Sequence, residues 1–149
     1  MEIQVKEQLI AAIGQQFDAF AGLIRQWPDA DFEAMPQGKW SAGQQLDHLI
    51  RSVKPVNLAF RLPGWLLRMV FGKPNRPSRT YDVLVEKYQQ KLNNGGVAPG
   101  AFVPPAIPLA RKEQLLGVYR EQEERLLKSV KRWQDADLDR FLLPHPLLG

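Results

Sequence analysis

The sequence contains no cysteine. That excludes a disulfide framework, a thiolate nucleophile and a cysteine-rich zinc site. Histidine is scarce, with His48 and His145 the only two in 149 residues. There is no Gly-x-Ser-x-Gly nucleophile turn and no glycine-rich phosphate loop. No apolar run approaches the roughly 20 residues that cross a bilayer. The N-terminal Met1-Glu2-Ile3-Gln4-Val5-Lys6-Glu7 is too polar for a signal peptide. The expected location is therefore the cytoplasm. The net charge of +4 is mild. With no helix-turn-helix signature and no basic stripe interleaved with stacking aromatics, no nucleic-acid partner is expected. Acidic residues are missing from one long stretch: between His48 and Tyr81 there are seven Lys or Arg and no Asp or Glu.

What is present is helical periodicity, over a length that suits one domain spanning residues 1–149. From about Glu2 to Trp27, apolar residues recur at three- and four-residue steps until Pro28 stops the pattern. A second helix is expected from Ser41 to about Arg61, with Leu46, Leu49, Ile50, Val53, Asn57 and Phe60 on one face. Ser41 and Gln44 read as a capping box at its start, and Pro55 predicts a kink near Arg51-Ser52. Residues 62–71 are short, apolar and basic. Thr80 caps a third helix to about Asn94, with Tyr81, Leu84, Val85, Tyr88 and Leu92 on a single face and Gly95-Gly96 stopping it. Four prolines make residues 97–108 an extended loop. The last clear helix spans about Ala110 to Gln134. No strand of convincing length appears, so the fold class is an all-α bundle.

His48 lies two turns into the second helix, at or beyond the edge of its apolar stripe, and Gln44 shares its face one turn earlier. The basic segment has three readings: a solvated face, or one paired with Glu113, Glu121, Glu123 and Glu124; a shallow pocket for an anionic small molecule, with Arg61 or Arg68 as planar donor; and, ranked last, membrane-surface contact through Trp65 and its apolar neighbours. The carboxylate pairs Asp135/Asp137 and Glu123/Glu124 read as surface charge. Trp27-Pro28-Asp29-Ala30-Asp31-Phe32 is echoed by Trp133-Gln134-Asp135-Ala136-Asp137-Leu138. Ser41, the next cap, follows the first tryptophan by 14 residues, and the same offset from Trp133 lands on Leu147. The echo predicts a further helix there. An apolar groove would then be left by truncation, filled by a partner subunit, or covered by residues 62–71.

Trp40-Ser41 with a histidine seven residues after the serine resembles the DinB-like superfamily of four-helix bundles. So does the connection Trp133-x-Asp-x-Asp-Leu-Asp ending in Pro144-His145-Pro146-Leu147-Leu148-Gly149. The resemblance covers nearly the whole chain in the same order. It implies an up-down-down-up bundle, here with the final helix missing or truncated, of a kind that often dimerises. It also implies that His48 stands at the first of three histidine ligands for a divalent metal, zinc or nickel. The other two come from a pair four residues apart on the last helix. No such pair occurs in residues 1–149, so a metal is expected only if those histidines are supplied. His145 belongs to the preceding loop and is not counted as a ligand. The expected function is a non-catalytic member that self-associates, as a homodimer, or binds a small-molecule ligand, with Gln44, Arg61 and Arg68 as ligand-binding candidates. The alternative is a metal- and thiol-dependent transferase acting on a small molecule.

Overall fold

The computed structural model describes residues 6–74, 77, 79–138, 140, 141, 143 and 145. Among them are the helices α1 (Lys6–Gln26), α2 (Ala42–Ala59), α3 (Gly64–Phe71), α4 (Tyr81–Asn93), α5 (Lys112–Arg132) and α6 (Asp135–Leu138), and no strand. The expected boundaries hold to within about two residues where they can be compared, and the expected start of α1 lies outside the described residues. The apolar and basic residues 62–71 supply a helix of their own, α3.

The capping box at α2 is formed. The Gln44 N–H donates to Ser41 Oγ at 3.2 Å, and the Ser41 N–H donates to Gln44 Oε1 at 3.0 Å. Two donors that a helix start leaves unpaired are thereby satisfied. The helix then runs unbroken through Pro55. At the expected kink, Ser52 Oγ donates to the His48 carbonyl at 2.9 Å.

The core lies between α1, α2 and α5. Phe17, Ala21 and Ile24 of α1 meet Leu46 and Ile50 of α2 and Leu115, Leu116 and Tyr119 of α5. The Phe17 and Tyr119 rings stack at 4.6 Å. Each fully buried aliphatic side chain contributes about 1.5–3 kcal/mol of transfer free energy. Phe32, from the connection after α1, is wholly buried at the start of α2. Its ring sits so close to Gly43 that a Cβ there would fall 2.8 Å from it and 2.9 Å from Ile107 Cβ.

Polar contacts fix how α5 sits on its neighbours. Asn57 Nδ2 donates to the Gln122 carbonyl at 2.9 Å and to Gln122 Oε1 at 3.1 Å, all buried. Trp133 Nε1 donates to the Phe60 carbonyl at 3.2 Å, and the two rings meet edge to face. The ends of α1 and α5 are clasped reciprocally. Lys112 Nζ, at the start of α5, lies 3.1 Å from the Trp27 carbonyl and 2.8 Å from Asp29 Oδ1. Lys6 Nζ, at the start of α1, lies 3.2 Å from the Trp133 carbonyl and 3.6 Å from Asp135 Oδ1. Each lysine neutralises the carbonyl-rich end of the other helix, where positive charge is favoured.

Two expectations about charge are corrected. Glu123 is buried, not surface charge; Arg120 bridges it and Asp18, both at 2.6 Å. The acidic side of α5 does not pair with the basic segment among the described residues. Glu121 and Glu123 pair with Arg125 and Arg120 of their own helix, and Arg51 pairs with Asp47 at 2.5 Å. The apolar face expected on α4 is also not a core face. No α4 residue is buried, and Tyr81, Leu84, Tyr88 and Leu92 are each more than a third exposed.

Candidate functional site

A cavity of about 890 Å³ opens between α2 and the α4–Val103 segment. One wall is the side of α2 that carries His48, Leu49, Ser52, Val56 and Ala59. The other is built from Tyr88 and Leu92 of α4 and from Val97, Phe102 and Val103 of the proline-rich loop. Its volume and apolar walls are those of a small-molecule site. Of the apolar side of α4, which buries no residue in the core, Tyr88 and Leu92 line this cavity.

His48 is the polar group most firmly placed there. The capping box sets the phase of α2, which turns His48 out of the core and under the loop. Its Nδ1 lies 2.8 Å from the Phe102 carbonyl, across 54 residues of sequence. A carbonyl oxygen only accepts, so Nδ1 carries the proton. In the neutral ring, Nε2 therefore holds a lone pair, and its direction is fixed by the bond on the other side of the ring. Trp40 packs on the imidazole at 4.8 Å between ring centroids. Ser52 stands one turn further along the same wall.

His145 lines the cavity as well and meets the Tyr88 ring edge to face at 5.9 Å. Most of the side chain is exposed, yet the apolar wall it leans on withholds enough water to push its pKa below the ordinary imidazole value. The sequence places His145 in a loop. What brings it to the same cavity as His48 is tertiary, and nothing in local spacing reveals it.

The other candidates lie elsewhere. Gln44 is buried, with both ends of its carboxamide engaged: Oε1 in the capping box and Nε2 donating to the Pro104 carbonyl at 3.3 Å. It anchors the loop that carries Phe102. Arg61 is exposed just past the end of α2, and Arg68 lies 5.9 Å from the centre of the Phe141 ring. None of the three lines the cavity.

The zinc or nickel that the resemblance implies does not fit the donors at hand. Among the described residues no group of three His, Cys, Asp or Glu converges, and a catalytic metal generally takes three protein ligands. What the site offers is a mainly apolar enclosure in which the His48 imidazole is held in one orientation, with Ser52 and His145 also on its lining. No helix among the described residues is long and apolar enough to cross a membrane.

No curated protein and no solved structure matches this chain. A family model does: that of the DinB superfamily, over residues 12–148. That span takes in α1 from Ala12 onward, α2, α5, the cavity walls and both histidines. The all-helical fold agrees with the match, and the chain belongs to the DinB superfamily.

Proposed function

We propose that this protein is a non-catalytic ligand-binding member of its superfamily. It takes a small, largely apolar molecule into the cavity beside α2, and His48 Nε2 accepts a hydrogen bond from one N–H or O–H of the ligand. The observation that carries this reading is the bond between His48 Nδ1 and the Phe102 carbonyl. It fixes the tautomer and the aim of the imidazole inside a mainly apolar enclosure. A site of this kind discriminates by leaving the nitrogen unpaired when a ligand lacks the donor.

Indole, with an apolar body and one N–H, is a suitable probe. Calorimetric titration is expected to show saturable one-to-one binding. His48→Ala is expected to weaken it about tenfold, the value of one hydrogen bond to a ligand. Unsaturable heats, or equal affinity in the variant, would count against the reading. Metal- and thiol-dependent transfer is the competing function and requires two further ligands beside His48. Stoichiometric zinc or nickel in purified protein, lost in His48→Ala, would favour it instead.

A further inference from the structure

Between His48 and Glu113 the only acidic residues are Asp82 and Glu86, both on α4. The cations of that stretch include three that share one concavity. It measures about 510 Å³ and is lined by Arg79, Lys87 and Lys91 together with the amides Gln90 and Asn94. Neither acid lines it. Glu86 accepts from Gln90 Nε2 at 3.1 Å. Among the described residues, the side chains of Arg79, Lys87 and Lys91 make no hydrogen bond or ion pair.

This basic pocket adjoins the cavity beside α2, because Gly96 lines both. The two share α4 as well. Steps of 100° put Lys87, Lys91 and Asn94 on one side of the helix, and Tyr88 and Leu92, which line the larger cavity, on the neighbouring side. The end of α4 suits the junction. Gly95 takes a left-handed turn at φ +81°, which lets its N–H donate to the Leu92 carbonyl at 3.0 Å and that of Gly96 to the Lys91 carbonyl at 2.8 Å. Two carbonyls that would otherwise repel an anion at this helix end are thereby engaged.

We propose that the cavity and the basic pocket hold one ligand, an apolar acid ionised at neutral pH. Its apolar body lies beside α2, with its donor on His48 Nε2, and its carboxylate passes Gly96 to reach Lys87 and Lys91. The inference rests on the small-ligand reading of the cavity and adds the charge of the ligand to it. The two hollows are complementary in what they supply. No Asp, Glu, Lys or Arg lines the larger one, whereas the smaller carries three cations without a counter-ion among the described residues. A carboxylate there gains charge-assisted hydrogen bonds without displacing an existing ion pair.

The test compares indole-3-butyrate with its uncharged methyl ester, by calorimetric titration of the full chain, with indole alongside. The acid is expected to bind about fivefold tighter than the ester, the value of one partly exposed ion pair. Lys87→Gln combined with Lys91→Gln should close that gap and leave the affinity for indole unchanged. Salt at about 1 M should close it too. Both lysines are exposed, so the double variant should keep the parent melting temperature. An acid that binds no tighter than its ester while indole still binds overturns this proposal alone. A gap that survives the double variant also overturns it, since the carboxylate then sits elsewhere. Saturable binding of none of the three compounds overturns the small-ligand reading and this proposal with it.

Discussion

Replacing Gly43 by alanine sets two effects of known size against each other. Alanine in a helix interior is favoured over glycine by about 1 kcal/mol, an upper bound for Gly43 as the second residue of α2. At Gly43, however, the new Cβ would lie 2.8 Å from the Phe32 ring and 2.9 Å from Ile107 Cβ. Phe32 is wholly buried, and a Cβ cannot rotate away, so backbone must move. Overpacking of this kind costs about 1–3 kcal/mol, and the rigidity of Ile107 Cβ puts Gly43 toward the upper part of that range. The net expectation is a loss of about 1–2 kcal/mol. Gly117, in the second turn of α5, has nothing within 4 Å of its would-be Cβ, so Gly117→Ala keeps the propensity gain alone. In urea, with a slope of about 2 kcal/mol per molar, Gly43→Ala should lower the midpoint by roughly 0.5–1 M and Gly117→Ala raise it by roughly 0.5 M. A Gly43→Ala midpoint at or above that of the parent would refute the close packing at the start of α2. The orientation derived for His48, one turn further along, would fall with it.

Arg120→Met strands the buried Glu123 carboxylate; discounted for partial exposure, the loss should be about 2–3 kcal/mol in urea unfolding, and adding Glu123→Gln should recover most of it. The Tyr119 phenol is pushed up to about 12, first by burial and then by Glu123, with Arg120 opposing. It stays neutral in the fold after it would ionise in the unfolded chain, so its stabilisation is complete below about pH 10 and is lost as the pH climbs toward 12. Tyr119→Phe should abolish the latest step in the alkaline absorbance titration of tyrosine. The His145 pKa is lowered by burial, so the neutral ring is the form that suits the fold. Its contribution is complete above about pH 6.5 and disappears as the pH falls through the lowered value. Proton NMR of His145→Gln should lose the imidazole resonance that titrates below the ordinary range.

The helices were legible in sequence because local chemistry sets them. Ser41 and Gln44 cap α2 as their spacing requires, and Thr80 caps α4, its Oγ1 accepting from Val83. The apolar steps of α1, α2 and α5 identify the core because all three helices bury those faces in one another. The same periodicity misplaces α4, because an apolar stripe does not say whether it meets a core or a cavity. Glu123 looked like surface charge because its partners, Arg120 on its own helix and Asp18 on α1, become visible only once α1 lies alongside. For the site, His48 could be singled out from its place on α2. Its bond to the Phe102 carbonyl and the approach of His145 depend on how residues 97–108 fold back, which no local pattern encodes. The tryptophan echo is visible in sequence, and the lysine clasps at the ends of α1 and α5 match across it; the further helix it predicts near Leu147 lies outside the described residues.

The connection from α2 to α5, residues 60–111, has a kinetic consequence. It carries two helices, α3 and α4, yet its share of the main core cluster is Ile107 and the partly buried Leu109. The pairing of α2 with α5 must nevertheless wait for this whole stretch to close. Loop closure costs about 0.6 kcal/mol for each doubling of length. A linker a quarter as long, retaining the residues around Ile107, would lower that cost by about 1.2 kcal/mol, nearly a factor of ten in rate if the pair forms in the transition state. The segment that encloses the cavity is thus also the one that slows the chain's folding.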